Sequence, residues 1–267
     1  MRELVVIKGG GDLASGVAHR LHQAGFQVII TEIARPTVIR RTVAFASAVY
    51  DNKVTVEGVT ARLVDEAAAA LAVTRQGDIA VIVDPRAEII KAVKPEIVVD
   101  AILAKTNLGT TKDDASIVIA LGPGFCAGRD VHAVVETKRG HFLGRVIWQG
   151  EAAANTGVPG LIEGYGAERV LRAPADGIFQ VCRAIGDLVA AGETVATVDG
   201  IPMKATINGV LRGLLHDGLQ VSKGMKAGDV DPRGQRDHCF TISDKARAIA
   251  GGVLEAILHL TSSPRPS

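Results

Sequence analysis

Aromatic residues, cysteines and net charge are all scarce in this 267-residue sequence. Aromatic residues make up 3% of the chain, and the formal net charge is +1. Nucleic-acid-binding surfaces usually carry a clear excess of Lys and Arg, so we expect no nucleic-acid partner. The three cysteines, Cys126, Cys182 and Cys239, form no Cys-x-x-Cys pair. This pattern is typical of a reducing compartment rather than of a disulfide framework.

Long apolar runs are also missing, although hydrophobic residues make up 47% of the chain. No run is long enough to cross a bilayer. The N-terminus enters a strand pattern directly, without the features of a signal peptide. We therefore expect a soluble, cytoplasmic protein of about two domains with no membrane partner. A homo-oligomer is compatible with the sequence.

The N-terminal part predicts an α/β Rossmann-like domain over residues 1–160. Short apolar runs such as "ELVVIK", "QVIIT", "DIAVIVDP" and "EIVVDAIL" alternate with helix patterns. Such alternation is typical of a doubly wound, mostly parallel sheet. Two further strand-like runs flank Lys138, Arg139 and Gly140, which predicts a hairpin appended to this domain.

The C-terminal part contains an internal repeat. "APADGI" from Ala173 matches "ATINGV" from Ala205, and "GDLVAAG" from Gly186 matches "GLQVSKG" from Gly218, both at an offset of 32 residues. Two equivalent half-units of this kind predict an all-β barrel-sandwich hybrid, similar to biotinyl and lipoyl domains, over residues 168–260 with a terminal helix. We expect residues 261–267 to form a disordered tail.

Lys204 follows a methionine, as a biotinylated lysine does. A carrier lysine belongs on the hairpin that joins the two halves, whereas Lys204 directly precedes the first strand of the second half. We therefore expect no covalent biotin.

The first predicted strand ends in a glycine corner that approximates the dinucleotide-binding motif G-x-G-x-x-G/A. Glycines let backbone N–H groups approach a phosphate, and the helix N-terminus adds partial positive charge. An acidic residue lies 21 positions after the third glycine, near the place where the motif binds ribose hydroxyls. The alternative is a tight turn that binds nothing. The predicted cofactor-binding residues here are Gly9, Gly10, Gly11, Asp12, Leu13, Gly16 and Glu32.

Other strand ends point to the same edge of the sheet, where ligands of open α/β sheets gather. Arg86 and Lys105 could neutralise an oxyanion. Asn107 offers neutral hydrogen bonds, and Gly122 and Gly124 offer close backbone approach. The alternative for each is an ordinary loop residue.

Cys126 lies in "GPGFCAGRD", where a neighbouring Arg129 would favour the thiolate. A thiolate can hold a soft element such as selenium or sulfur, which makes Cys126 a weak candidate for that role. The alternative is a small packed residue in a turn. No metal site is predicted, because His238 and Cys239 lack a second ligand pair.

Several long motifs occur in a specific order: "VVIKGGGDLASGVAHRLHQAGFQVIITE", "RPTVIRRTVAFASAVYD", "GPGFCAGRDVHAVVETKRGHFLGRVI", "NTGVPG" and "ISDKARAIAGGVLEAIL". Together they resemble YqeB-type accessory proteins of selenium-dependent molybdenum hydroxylases over nearly the whole chain. The resemblance implies a maturation role, a molybdenum hydroxylase client, and handling of selenium or of the selenated molybdenum cofactor. The chain is also similar to XdhC-type chaperones, which pair a Rossmann domain with cofactor sulfuration.

The sequence thus favours an accessory protein that binds a nucleotide or the nucleotide-bearing molybdenum cofactor at the glycine corner. Two alternatives stay open. The same corner and Glu32 would serve an NAD(P)-dependent oxidoreductase, although no His or Lys–Tyr constellation follows. A non-catalytic binding module with an empty Rossmann scaffold is the other. Whether the protein is an enzyme is left open.

Overall fold

The computed structural model describes residues 3–154, 157 and 160–262, which fall into two units. The first unit comprises Met1–Pro36, Phe45–Asn155 and Ile242–Ser267, and the second comprises Thr37–Ala44 and Thr156–Thr241. Most of the "NTGVPG" motif and residues 263–267 of the predicted tail lie outside the described residues.

The first unit is built on one nine-stranded sheet and one two-stranded sheet. Its strands are β1 (Leu4–Lys8), β2 (Gln27–Glu32), β3 (Lys53–Val56), β4 (Val59–Val64), β5 (Ile79–Val83), β6 (Ile97–Asp100), β7 (Ile117–Leu121), β8 (Cys126–Ala127), β9 (Ala133–Val135), β10 (Val146–Ile147) and β11 (Gly150–Glu151). Its helices are α1 (Asp12–Gln23), α2 (Ala48–Asp51), α3 (Ala67–Arg75), α4 (Ile89–Val93) and α5 (Asp244–Ser262).

The large sheet has the order β10-β9-β7-β6-β1-β2-β5-β4-β3. The strands from β9 to β4 pair in parallel, whereas β3 and β10 pair antiparallel at the two edges. β1 lies in the centre and all five of its residues are buried. Strands covered on both faces need continuous apolar runs, which explains the composition of "LVVIK" and "IVVD".

Helices α1 and α5 lie against each other in the first unit. Gly16 makes their close approach possible, since a Cβ built at this position would lie 2.7 Å from the Cβ of Ala246. Gly16, which the sequence assigns to a ligand, is therefore needed for helix packing.

The second unit is all-β. Its strands are β12 (Val170–Arg172), β13 (Gly177–Val181), β14 (Leu188–Val189), β15 (Thr194–Val198), β16 (Ile201–Lys204), β17 (Gly209–Leu214), β18 (Gln220–Val221) and β19 (Lys226–Asp231). They form two four-stranded antiparallel sheets, ordered β12-β19-β17-β14 and β16-β15-β13-β18.

The 32-residue repeat is reproduced in the hydrogen bonds of the second unit. The amide of Gly186 donates to the carbonyl of Leu211, and the amide of Gly218 donates to the carbonyl of Phe179, both at 2.8 Å. The second donor lies 32 positions after the first, and the second acceptor lies 32 positions before the first. Each half therefore supplies a strand partner to the other, as a pseudo-twofold pair does.

The predicted fold class, a Rossmann-like domain followed by a barrel-sandwich hybrid with a terminal helix, is wrong. The described residues form one large mixed sheet and three antiparallel sheets instead. The hairpin β3–β4 extends the large sheet beyond β5, and α5 lies in the first unit rather than at the end of an all-β domain. Apolar runs predict that a strand exists, but not its neighbours or its direction.

Candidate functional site

The carboxyl ends of β1 and β6 meet at the point where the strand order reverses. From β1 the chain proceeds to β2 on one side, and it later returns to place β6 on the other side. Lys8 and Asp100, the last residues of the two strands, are register partners. Open α/β sheets bind their ligands in the crevice at such a reversal.

Three polar side chains are buried together at this point. Lys8 is 7% exposed, Asp100 is 2% exposed and Thr110 is fully buried. The Nζ of Lys8 donates to the Oγ1 of Thr110 at 2.5 Å, and this hydroxyl donates to the Oδ2 of Asp100 at 2.6 Å. The direct distance from Nζ to Oδ2 is 3.9 Å. The hydroxyl therefore links the ammonium to the carboxylate.

Asn107 fixes the position of Thr110 through the loop between β6 and β7. Its Oδ1 accepts from the amides of Gly109 and Thr110, each at 2.8 Å, and its Nδ2 donates to the carbonyl of Thr110 at 2.8 Å. Asn107, a predicted ligand-binding residue, thus uses its amide group to hold the loop.

A crevice of about 800 Å³ opens beside Lys8. This volume is within the range of small-molecule sites, about 300 to 1,000 Å³. Arg86, Lys91 and Lys94 line it together with Lys8, and Lys91 is paired with Glu88 at 2.6 Å. The structure therefore brings the predicted residue Arg86 to one crevice with Lys8, which the sequence analysis missed.

Two amides of the glycine corner that follows Lys8 donate within the protein. The amide of Gly9 donates to the carbonyl of Thr31 at 2.8 Å, and the amide of Gly10 donates to the Oε2 of Glu32 at 2.8 Å. The other carboxylate oxygen of Glu32 accepts from the amide of Ile33 at 2.8 Å. Glu32 therefore accepts a hydrogen bond from a backbone amide that the sequence analysis assigns to a phosphate.

Glu32 is held as a partly buried carboxyl group. Burial raises its pKa, and the hydrogen bonds from the amides of Ile33 and Gly10 act in the opposite direction. The carboxyl group is therefore easier to protonate than an exposed glutamate.

The corner itself is closely packed. Gly9 adopts a φ of +90°, and a Cβ at Gly10 would lie 2.9 Å from the amide nitrogen of Ala46. Gly11 is the N-cap residue of α1 and has no side chain that could accept from the helix amides. Asp12 and the half-buried Leu13 follow it in the first turn.

The remaining predicted residues lie along the neighbouring loops and do not line the crevice. Gly124 has a φ of +109° and supports Thr106, since a Cβ there would lie 2.7 Å from the Thr106 amide nitrogen. Gly122, with a φ of +72°, lies against the side chain of Thr137, since a Cβ there would lie 2.5 Å from the Thr137 Oγ1. Lys105 is exposed and has a φ of +65°.

Cys126 is half-buried, and its amide donates to the Oδ2 of Asp130 at 2.8 Å. Arg129 makes two hydrogen bonds to the same carboxylate, at 2.9 and 3.1 Å, and this contact lowers the pKa of Asp130. The charge of Arg129 is therefore directed to Asp130. Within the described parts of the chain, no three His, Cys, Asp or Glu side chains are grouped so that they could hold a metal ion.

Sequence analysis missed Lys8, Asp100 and Thr110. A signal was present, because "VVIK" and "IVVD" each end an apolar strand with a charged residue. Pairing the two needs the strand order, and Thr110 lies 102 positions after Lys8.

The chain is similar to the E. coli K12 protein YqeB, described as uncharacterized. The two are 57% identical over 258 residues, which is 97% of this chain and 48% of YqeB. The chain therefore spans about half the length of this curated relative. No family model matches the sequence. No helix among the described residues is long and apolar enough to pass through a membrane.

Solved structures give only distant similarities. The product-bound ectoine utilization protein EutE of Ruegeria pomeroyi is 12% identical, with 86% of this chain and 85% of that chain covered and a TM-score of 0.27. An aspartoacylase family protein of Mesorhizobium loti is 11% identical, with 86% and 84% covered and a TM-score of 0.25. A succinylglutamate desuccinylase from a Silicibacter species is 12% identical, with the same coverage and TM-score. These scores are too low to transfer a reaction to this chain.

Proposed function

We propose that this protein is an accessory protein that binds an anionic, nucleotide-like small molecule in the crevice beside Lys8. We further propose that it acts in the maturation of selenium-dependent molybdenum hydroxylases, with the nucleotide-bearing molybdenum cofactor or a related phosphorylated molecule as its cargo. A molybdenum hydroxylase is the proposed client.

The observation that carries the proposal is the hydrogen bonding of the Lys8 ammonium group. This group has three N–H donors. Thr110 Oγ1 is the one acceptor that the described residues place within hydrogen-bonding distance of Nζ, and Asp100 lies farther away at 3.9 Å. A nearly buried ammonium group with free donors beside a crevice favours a ligand that supplies acceptor oxygens, such as a phosphoryl group.

The position of the crevice is a second support. It lies at the reversal of strand order, and Arg86 and Lys94 add positive charge at its rim. Neither side chain has a recorded ion pair among the described residues. Exposed cations of this kind attract an anionic ligand and orient it toward Lys8.

The pathway assignment depends on the sequence motifs that resemble accessory proteins of selenium-dependent molybdenum hydroxylases. Similarity to YqeB over 97% of the chain is consistent with this resemblance but names no reaction. The cargo is therefore proposed from the chemistry of the crevice, and the client from the motifs.

Binding is tested by calorimetry on the purified protein with nucleotides as probes. Lys8→Met is expected to weaken binding about 10- to 100-fold, the usual effect of losing hydrogen bonds to a charged group. Lys204→Met is the matched control, because Lys204 is an exposed lysine on β16. Equal affinities for wild type and Lys8→Met would contradict the assignment of the crevice.

The pathway is tested separately in cells that make a selenium-dependent molybdenum hydroxylase. Deletion of this protein should lower hydroxylase activity and its selenium content, and wild type but not Lys8→Met should restore both. Unchanged hydroxylase after deletion would contradict the maturation role without affecting the binding result. Absence of NADH oxidation with small carbonyl compounds would separate this function from that of an oxidoreductase.

A further inference from the structure

We infer that the loop between β6 and β7, residues 101–110, binds a tetrahedral oxyanion such as a phosphoryl group. The donors that we assign to this site are the backbone amides of residues 103–105 and the ammonium group of Lys105. They are different from the side chains that line the crevice beside Lys8, so the inference does not rest on the proposed function.

Contacts with Lys8 hold the loop at both of its ends. The amide of Ala101 donates to the carbonyl of Lys8 at 2.9 Å, and the Nζ of Lys8 donates to the Oγ1 of Thr110 at 2.5 Å. Between these ends, the side chain of Asn107 bonds to the loop backbone as both acceptor and donor. The loop is therefore tied to the protein at several points along its length.

Two glycines outside the loop pack directly against its backbone. A Cβ at Gly9 would lie 3.1 Å from the carbonyl oxygen of Ala101, and a Cβ at Gly124 would lie 2.7 Å from the amide nitrogen of Thr106. The sequence analysis assigns both glycines to a ligand. Their contribution to this site is indirect, because they leave room for the loop that carries the donors.

The loop backbone alternates between positive and negative φ. Leu103 and Lys105 have φ values of +61° and +65°, whereas Ile102, Ala104 and Thr106 have negative φ. A positive φ is uncommon for leucine and lysine, and such conformations concentrate at functional sites. Successive residues of opposite handedness turn their N–H groups toward one side, which forms an anion-binding concavity.

The amides of this stretch are not used by the protein. None of the amides from Leu103 to Leu108 has an acceptor within the parts of the chain that the structure describes. The glycine corner is different, because the amides of Gly9 and Gly10 both donate within the protein. The loop therefore offers the backbone donors that a ligand at the carboxyl edge of the sheet can use.

The charges at the loop also favour an anion. Lys105 is exposed, and its ammonium group has no hydrogen bond or ion pair to any described residue. Asp100, which precedes the loop, is 2% exposed and accepts from the amide of Ile102 and the hydroxyl of Thr110. This carboxylate is therefore occupied inside the protein, near Lys8.

The number of donors indicates the class of ligand. Several adjacent amides and one ammonium group need a ligand with more acceptor oxygens than the two of a carboxylate. A phosphoryl group supplies at least three such oxygens and carries the negative charge that pairs with lysine. The ligand is therefore a free phosphate ion or the phosphoryl group of a phosphate ester.

Nuclear magnetic resonance of the isotopically labelled full chain tests this site directly. Inorganic phosphate is titrated at fixed ionic strength, with chloride as the compensating anion. We expect saturable shifts of the amide signals of Leu103, Ala104 and Lys105.

Two variants with matched controls test the assigned donors. Lys105→Met should weaken phosphate binding about three- to tenfold, the effect of removing one charge-assisted hydrogen bond at an exposed position, whereas Lys53→Met, at an exposed lysine on β3, should not. Gly124→Ala should also weaken binding, because its Cβ would displace Thr106. Gly77→Ala is its control, since Gly77 has a φ of +92° and a Cβ there meets no atom within 4 Å. Because Lys105 is exposed, Lys105→Met is expected to fold and is decisive even if Gly124→Ala does not fold.

A parallel titration with a nucleoside monophosphate identifies the source of the phosphoryl group. If the monophosphate shifts the same amides and binds more tightly than inorganic phosphate, the ligand is a phosphate ester. If it shifts them but binds more weakly, the ligand is free phosphate.

Two results would overturn the inference. One is that the amide signals of residues 103–105 stay unchanged with phosphate in large excess. The other is that phosphate binding is weakened by Arg86→Met but not by Lys105→Met, which would place the anion in the crevice. The second result would support the proposed function while contradicting the loop site.

Discussion

The ammonium nitrogen of Lys8 lies 2.5 Å from the hydroxyl oxygen of Thr110, although the two residues are 102 positions apart. The same hydroxyl donates to Asp100, so one threonine links a buried cation to a buried anion. Without this hydroxyl, the ammonium group of Lys8 loses the acceptor that it has among the described residues, whereas the carboxylate of Asp100 keeps its hydrogen bond from the amide of Ile102 at 3.2 Å.

Thr110→Val is therefore expected to destabilise the protein by about 1 to 3 kcal/mol, the range for leaving buried polar groups unsatisfied. Urea unfolding followed by circular dichroism measures this difference. Thr55→Val, an exposed threonine on β3, is the control and should change stability by less than about 0.5 kcal/mol. A Thr110→Val protein as stable as wild type would show that Thr110 does not link the two charges.

The carboxyl group of Glu32 predicts a dependence on pH. Burial raises its pKa in the folded protein above the ordinary value of 4.5. The folded state therefore holds this proton more tightly than the unfolded state, and the resulting stabilisation is fully present below pH 4.5 and lost as the pH rises through the folded pKa.

We expect wild type to lose stability relative to Glu32→Gln as the pH rises from 4 toward neutrality, because Gln cannot ionise. Parallel urea titrations of both proteins across this range measure the difference. A constant gap between the two would mean that the pKa of Glu32 is the same in the folded and unfolded states.

Helix α5 contains two adjacent glycines with opposite surroundings. A Cβ at Gly251 meets no atom within 4 Å, whereas a Cβ at Gly252 would collide with the carbonyl oxygen of Gly144. Gly251→Ala should stabilise the protein by about 0.5 to 1 kcal/mol, since alanine is the better helix former.

Gly252→Ala should destabilise it by about 1 to 3 kcal/mol through overpacking. Each variant is the control for the other, and differential scanning fluorimetry shows the two shifts directly. Equal shifts would contradict the close approach of α5 to the loop at Gly144.

The two halves of the repeat in the second unit differ in the burial of one aspartate. Asp231 is fully buried and accepts from Arg233 at 2.6 Å, with Arg212 at 3.3 Å. Its counterpart 32 positions earlier, Asp199, is exposed. Asp231→Asn should cost about 3 to 5 kcal/mol, because it removes the buried negative charge that Arg212 and Arg233 contact, while Asp199→Asn should cost much less.

The pH dependence of this group has the opposite sign to that of Glu32. Burial alone would raise the pKa of Asp231, but the hydrogen bonds from Arg233 outweigh burial and hold the pKa below 3.8. Its stabilisation is therefore present above pH 3.8 and is lost as the pH falls through the folded pKa. Acid unfolding of wild type and Asp231→Asn should converge at low pH, and parallel acid-unfolding curves would contradict this.

Local sequence patterns were enough for the strands, the glycine corner and the repeat. Apolar runs such as "LVVIK" encode burial on both faces of a strand. The matching segments at Gly186 and Gly218 encode equivalent hydrogen bonds. The strands and the corner depend on residues that lie within a few positions of one another, and the repeat is visible because two segments match at a fixed offset.

The sheet order and the pairing at the site could not be predicted in this way. Lys8 meets Asp100 only because β6 lies beside β1, and no local pattern encodes which strands are neighbours. The hydrogen bond from the Gly10 amide to Glu32 likewise depends on which strand lies beside β1, since Glu32 is the last residue of β2. Sequence analysis consequently predicted Arg86, which lines the crevice with Lys8, but it also assigned the phosphate to the amides of Gly9 and Gly10, which donate within the protein.

The most direct test of the central claim is a crystal structure of the protein bound to a nucleoside monophosphate. We predict a phosphoryl oxygen about 2.7 to 3.0 Å from the Nζ of Lys8, within the crevice that Arg86 lines. A ligand bound elsewhere, with the ammonium group of Lys8 still contacting Thr110 alone, would contradict the claim.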